Sequence, residues 1–369
     1  VSGRLELRRG VVVSEQPLVV EVEGERRPAW ADRVLLGEMR EGDEVVVNVA
    51  ALDLGLGSGG FDVVHVNLTR GLEGGGAPGA EHVMKLNYTS LQHPVEPVEG
   101  EEIPWFLLPA GEAKGTTGSA DLKAAAPEGE VTVVVLPLHG HLAPAAWAAA
   151  ESSPGLGVGY VQTGGGALPG SLSRDVSELR ERGLLAGHIT AGPAYGGERE
   201  ALSTVGAIDA AGRLGWDAVL VGPGPGIIGS ESEFGHGGMA ALDSAHAALS
   251  LNLPTLLSPR LSSSDPRDRH RRLSHHTRTV LDLLLASVDI AFPTGHPEIA
   301  SELRQAAGDR HQLLEAPADL DAYASSGLPT TTMGRSLAED PLFFAAPLAA
   351  GGLLGAAPAG GVGGGGPRT

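Results

Sequence analysis

The chain has 369 residues, among them 55 Gly, 26 Pro and no Cys, and a formal net charge of −19. The missing Cys excludes disulfides, thiolate nucleophiles, iron–sulfur clusters and Cys-ligated zinc, and the acidic balance excludes a uniformly basic nucleic-acid surface. The glycines have no three-residue period, which excludes collagen, and no run of about 18 apolar residues offers a membrane span.

Residues 1–108 read as β-structure. Leu5, Leu7, Val11, Val12 and Val13 form strand-like runs, and Leu18 to Glu23 alternates apolar with acidic residues. The turn Glu41-Gly42-Asp43 precedes the run Val45 to Val49, and Phe61 to Leu68 is a further strand. Short strands separated by turns predict a small barrel, SH3-like or OB-like. An OB-type nucleic-acid surface needs stacking aromatics and basic residues, whereas this segment is acidic and offers Trp30 and Phe61. No nucleic-acid partner is therefore expected. Residues 109–130, rich in Gly and Ala, read as an interdomain linker.

From residue 131 strand-like runs alternate with helical patterns. Strands are expected at Val131–Leu138, Gly157–Gln162, Leu184–Thr190, Ala218–Val221, Thr255–Leu257 and Val288–Ala291. Helices are expected near 198–214, 237–251 and 273–286, where apolar residues recur at helical spacing. This alternation predicts an α/β Rossmann-like domain over 131–345, a mostly parallel sheet with helices on both faces. The Ala/Gly/Pro-rich stretch 346–369 is expected to be a disordered tail with at most one short helix. The start shows no apolar run of the signal-peptide kind, so a cytoplasmic protein without membrane partners is expected; homo-oligomerisation stays open.

In open α/β sheets, ligands bind beyond the carboxyl ends of the strands. The loops expected there are glycine-rich, and Thr163, Gly165, Gly166, Gly224 and Gly226 are candidate ligand contacts. Gly224-x-Gly226-x-x-Gly229 matches the dinucleotide fingerprint by letter alone. Pro223 and Pro225 lack N–H donors, and Glu231 and Glu233 place negative charge where pyrophosphate would lie, so NAD and FAD are not expected. A phosphate-loop Lys and a Gly-x-Ser-x-Gly elbow are both missing.

The segment from Arg260 to Arg278 reverses the sign of the chain, with Arg260, Arg267, Arg269, Arg271, Arg272 and Arg278. One reading makes it a site for a small anionic metabolite, such as a phosphorylated one. Arg260, Arg267 and Arg269 hold the anion with His276 beside them, His270 or His275 transfers protons, Asp265 orients a His, and His139 is a further catalytic candidate. Hydrolysis or group transfer is then the expected chemistry. A second reading leaves open a divalent metal, held by His139, His141, Asp265 and Asp268, that activates water for hydrolysis. A third is a non-catalytic sensor or assembly protein, and a purely structural one makes Asp265 the cap of the following helix.

Val83 to Gln92, the Gly55–Gly60 turn, Gly164 to Pro169, Gly222 to Gly226, Asp265 to His270 and Ser274 to Thr277 together resemble the bacterial family designated domain of unknown function 3866. The resemblance spans about 1–345. It implies a whole-length soluble bacterial protein and brings no catalytic residues with it. Two places depart from the family pattern. Gly164 follows Thr163 where an acidic residue is expected, and Gly140-His141 follows His139 where Ser and an uncharged residue are expected.

Overall fold

The computed structural model describes residues 3–56, 59–72, 83–100 and 131–355. The chain divides into two compact units, Val1–Glu96 and Pro97–Thr369. The division falls ahead of residue 108, because Pro97 bridges to Glu200 and Val98 is buried in the core of the second unit. The linker expected at 109–130 lies outside the described residues.

The first unit is a closed barrel of β1 (Leu7–Glu15), β2 (Leu18–Val22), β3 (Glu25–Trp30), β4 (Glu44–Asn48) and β5 (Asp62–Asn67). Helix α1 (Arg33–Leu36) follows β3, and α2 (Ala50–Asp53) lies between β4 and β5. Val12, Val20, Val22, Val45, Val47 and Val64 fill the interior with Met39, as period-2 strands require. Strand β5 inserts between β3 and β4 and runs parallel to β3, so the barrel is not a simple meander. The Arg27 guanidinium ties this junction, binding Asp62 and Asp53 at 2.5 Å each. A hairpin of β6 (Val83–Lys85) and β7 (His93–Val95) completes the unit.

The second unit carries β8 (Thr132–Val135), β9 (Val158–Thr163), β10 (Gly187–Ala191), β11 (Arg199–Ala201), β12 (Ala218–Pro223) and β13 (Thr255–Leu257). After them come β14 (Leu261–Ser262), paired with β15 (Arg272–Leu273), then β16 (Asp289–Pro293) and β17 (Gln312–Ala316), and last the pair β18 (Thr331–Thr332) and β19 (Arg335–Ser336). Eight of these form one all-parallel sheet in the order β11-β10-β9-β12-β8-β13-β16-β17. The helices are α3 (Leu142–Ser152), α4 (Arg174–Glu181), α5 (Thr204–Arg213), α6 (Ala240–Ser250), α7 (His275–Leu283), α8 (Pro297–Ala307), α9 (Leu320–Ser325) and α10 (Pro341–Gly355). Ser and Asp caps start several of them: Ser173 accepts from Val176 N, Ser203 from Gly206 N and Asp319 from Ala322 N.

Alternate strand residues point to opposite faces. Val133, Val135, Val219, Val221 and Ile290 pack against α5, α6, α7 and α8 through Ile208, Ala245, Val280 and Leu303. Val134, Leu136, Tyr160, Leu220 and Leu256 pack against α3, α4, α9 and α10 through Leu142, Leu179, Tyr323 and Phe344. Burial on both faces is what turns the parallel strands into near-continuous apolar runs. Trp216 explains two glycines inside strands. A Cβ at Gly159 would lie 1.7 Å from its ring and one at Gly187 2.5 Å, so the indole packs directly on bare backbone.

The stretch expected to be a tail from 346 is helical as far as Gly355. Helix α10 runs to Gly355, and Ala346, Leu348, Ala349 and Ala350 are buried. An apolar composition all round a helix suits burial on every side, and a Cβ at Gly351 would lie 2.1 Å from Ala145 O of α3. Residues 356–369 lie outside the described residues. Among the described residues no helix is long and apolar enough to cross a membrane.

The layering locates the crevice. Strands β8 and β9 lead into α3 and α4 on one face, whereas β12 and β13 lead into α6 and α7 on the other. These four are neighbours in the sheet, in the order β9-β12-β8-β13. Chains leaving adjacent strands in opposite directions open a gap at the carboxyl edge.

Candidate active site

Strand β13 ends at Leu257, and Ser258-Pro259 carries the chain to Arg260. The β14–β15 pair then folds residues 263–271 back as a loop, with Ser274 N donating to Arg260 O at 3.0 Å. Ser274 caps α7 by accepting from His276 N, so the cap is Ser274 and not Asp265. This local folding brings Arg260, Asp265, Arg267, His270, His275 and His276 together. His275 and His276 are consecutive and so start on different lines of the helix. In the first turn of α7 both rings nevertheless reach the same place, 4.4 Å apart between centroids.

His236, from the loop before α6, joins them. Its ring stacks on His276 at 3.5 Å with a 4° interplanar angle, and His270 lies 4.8 Å from His275 and 4.7 Å from His276. Four imidazoles therefore form one cluster. His270 Nδ1 is hydrogen-bonded to Ser274 Oγ at 2.7 Å. Arg260 donates to His276 Nδ1 at 3.0 Å, and His236 Nε2–H donates to Glu233 O at 2.9 Å. Among the described residues His236 Nδ1 and His275 Nε2 are buried without a hydrogen-bond partner. A shallow cleft lined by Gly165, Ile228, Gly229 and Gly237 opens onto His236.

The charges are arranged around a buried guanidinium. Arg260 is 4% exposed, and burial lowers its pKa to about 10 although Asp265 opposes the shift. Burial alone would raise the Asp265 carboxyl; hydrogen bonds from Arg267 outweigh it and hold the group well below the usual carboxylate range. Arg267 grips both Asp265 oxygens at 2.9 Å, while Arg260 and Arg335 stand 3.6 and 3.7 Å from it. Arg335 also donates to Asp340 at 3.0 Å, and Asp340 accepts from Ser262 Oγ. Burial, reinforced by Arg260, pushes His270 down to about 3 and His276 to about 2, and His236 and His275 move the same way. The imidazoles are thus neutral at pH 7.

The rest of the basic run divides. Arg269 donates to Glu231 O and adds its charge to the pocket. Arg272 and Arg278 both bind Glu302 of α8, at 2.7 and 2.8 Å. Arg271 pairs with Asp268, whose side chain is 94% exposed. Asp268 therefore stands away from the imidazoles.

His139 belongs to a different group. It is buried, with Nε2 at 2.8 Å from Ser173 Oγ and Nδ1 at 3.4 Å from the Tyr160 hydroxyl. Tyr160 donates to Pro223 O at 2.9 Å and stacks on His188. Burial lowers His139 to about 4. His141 points elsewhere, to Ser258 Oγ at 3.2 Å, and burial with Arg260 nearby lowers it to about 3. The set His139, His141, Asp265 and Asp268 does not converge. Among the described residues the three donors that do are His236, His275 and His276, whose ligand atoms lie within 4.8 Å of one another.

The glycine loops meet one another. A Cβ at Gly166 would lie 2.2 Å from Gly224 O, one at Gly237 1.7 Å from Gly165 O, and Ala167 N donates to Pro225 O. Thr163 Oγ1 donates to Gly164 O, and Gly226 has φ +71 with open space around it. The Gly224–Gly229 loop bridges from Gly229 to His236 and reaches α6 only at Ala240, so these glycines do not open a helix as a dinucleotide fingerprint does.

Sequence reasoning missed His236, Ser173, Tyr160 and Arg335. His236 carried a usable signal: it lies between β12 and α6, on the carboxyl edge by the rule that selected the other loops.

Fold and site define a Rossmann-like α/β protein with an N-terminal β-barrel and a histidine–arginine pocket at the carboxyl edge of its sheet. The family model described as "Protein of unknown function (DUF3866)" matches residues 29–351. The chain belongs to that family. No curated protein and no solved structure matches it.

Proposed function

We propose that this protein is an enzyme that binds a small anionic metabolite, phosphorylated or carboxylated, at the carboxyl edge of the parallel sheet and acts by hydrolysis or group transfer. The observation that carries the reading is the charge balance around Arg260. Four guanidinium groups (Arg260, Arg267, Arg269 and Arg335) meet two carboxylates, Asp265 and Asp340, and the four imidazoles among them are neutral. A site where guanidinium groups outnumber carboxylates, with the surplus on the exposed Arg267 and Arg269, attracts an anion, and planar guanidinium suits carboxylate or phosphate oxygens.

In this reading Arg260 and Arg269 hold the anion, while Arg267 is committed to Asp265. His270, oriented by Ser274, moves the proton; a neutral imidazole is ready as a base, and a bound anion raises its proton affinity. The test is a titration with inorganic phosphate, with chelator present, followed by a panel of phosphate and carboxylate esters. Phosphate is expected to raise the melting temperature, and Arg269→Gln to weaken it by about two- to fivefold, as for a solvent-exposed charge. His270→Gln is expected to keep anion affinity and abolish turnover. If no anion stabilises the protein, the reading fails.

A further inference from the structure

We infer that His236, His275 and His276 form a binding site for one divalent transition-metal ion of the zinc class. The inference goes beyond the anion reading and is tested separately from it.

Three observations carry it. The ligand atoms of the three side chains lie within 4.8 Å of one another, although the residues come from two separate segments, the loop before α6 and the first turn of α7. Two of the three present a buried ring nitrogen with no partner among the described residues, His236 Nδ1 and His275 Nε2. A buried polar atom left without a partner is costly, and a cation satisfies a ring lone pair. The third observation is the His236 tautomer. Nε2–H donates to the Glu233 carbonyl at 2.9 Å, so the lone pair is on Nδ1, inside the pocket. A backbone carbonyl holding the far N–H is the outer-shell arrangement that ligating histidines use.

The donor set selects the ion. Three imidazoles without thiolate suit zinc, cobalt or nickel better than the oxygen-seeking magnesium or calcium. Three protein ligands leave a fourth position for water or an anion, the composition of catalytic rather than structural zinc sites.

Two local features must adjust. The His236 and His276 rings lie parallel at 3.5 Å, and lone pairs in parallel planes do not meet at a point, so one ring turns when an ion is shared. His276 Nδ1 now accepts from Arg260 at 3.0 Å, so an ion on that nitrogen displaces the Arg260 N–H and frees it for the anion. The nearby guanidinium groups repel the cation, and Asp265, within 3.6 Å of Arg260, offsets part of that repulsion.

The experiment is titration of the chelator-stripped full chain with Co²⁺ in phosphate-free buffer, followed by visible absorption and displacement by Zn²⁺. One equivalent is expected, with a d–d band typical of four- or five-coordinate nitrogen-ligated cobalt. His236→Ala and His275→Gln are each expected to weaken binding at least about tenfold, since outer-shell changes alone cost that much, while His296→Ala, at a partly exposed His just ahead of α8, leaves it unchanged. His275 is half-buried, so His275→Gln remains decisive if His236→Ala fails to fold. Absence of a one-equivalent complex, or affinity untouched by His275→Gln, overturns the inference. Phosphate binding measured in chelator reports on the anion reading alone, so either idea can fail without the other.

Discussion

Asp265→Asn tests the electrostatic core of the site. Asp265 is fully buried and is the carboxylate that faces Arg260, at 3.6 Å, and that Arg267 grips at 2.9 Å. The two arginines differ in what they lose. The Arg267 side chain is 49% exposed and can return to water, so its share is at most about 1 kcal/mol. The Arg260 side chain is 5% exposed and among the described residues keeps its hydrogen bond to neutral His276. Leaving one partner of a buried pair without the other costs about 3–5 kcal/mol. For a unit of this size that lowers Tm by roughly 6–15 °C. Urea unfolding monitored by far-UV circular dichroism is the suitable assay, because it avoids irreversible heating. The companion variant Asp265→Asn/Arg260→Met removes the stranded charge and is expected to recover most of the loss, since an apolar replacement of a buried pair is often near neutral. A single variant that loses less than about 1 kcal/mol, below the buried-pair range, would falsify the assignment of Arg260 as a buried charge balanced by Asp265. So would a double variant no more stable than the single one.

Three further outcomes follow from named contacts. His139, His188, His270 and His276 are lowered by burial to about 4, 3, 3 and 2. Unfolded imidazoles titrate at about 6.5, so the unfolded chain binds more protons below that pH; the stability from neutral burial is complete above it and is lost as pH falls toward the folded values. Each ring adds a slope of about 1.4 kcal/mol per pH unit, and the urea midpoint, measured with chelator present, is expected to drop steeply between about pH 6.5 and 5; a flat midpoint refutes neutral burial of these rings. Gly159→Ala drives a methyl to 1.7 Å from the Trp216 ring and is expected to cost about 3 kcal/mol, whereas a neutral outcome in urea would show that the indole does not lie on that strand. Gly351→Leu forces α10 off α3, where a Cβ already meets Ala145 O at 2.1 Å, and is expected to cost about 3 kcal/mol or more; unchanged proteolytic resistance of α10 would contradict that close crossing.

What the sequence determined by itself was architecture. Period-2 valines followed by apolar runs alternating with helical patterns forced a barrel and then a parallel sheet, because each pattern has few ways to bury its apolar face. Two sheet strands escaped notice for local reasons: β11 is three residues long, and β17 mixes Gln312 and Glu315 with Leu313 and Leu314 at the sheet edge. The strand-end rule also located Arg260, Asp265 and the adjacent histidines within one loop and one helix start. Only the tertiary structure decided which of them meet. It brought His236 in from the loop ahead of α6, gave His139 to Ser173 and Tyr160, and sent Arg272 and Arg278 to Glu302. It also changed the meaning of the glycines. Those at strand ends let neighbouring loops touch backbone to backbone, and Gly159 and Gly187 make room for Trp216. The physical reason is range. Periodicity is a property of neighbours along the chain, whereas the meeting of a ring nitrogen with a guanidinium depends on how distant segments cross, and no local pattern encodes that crossing.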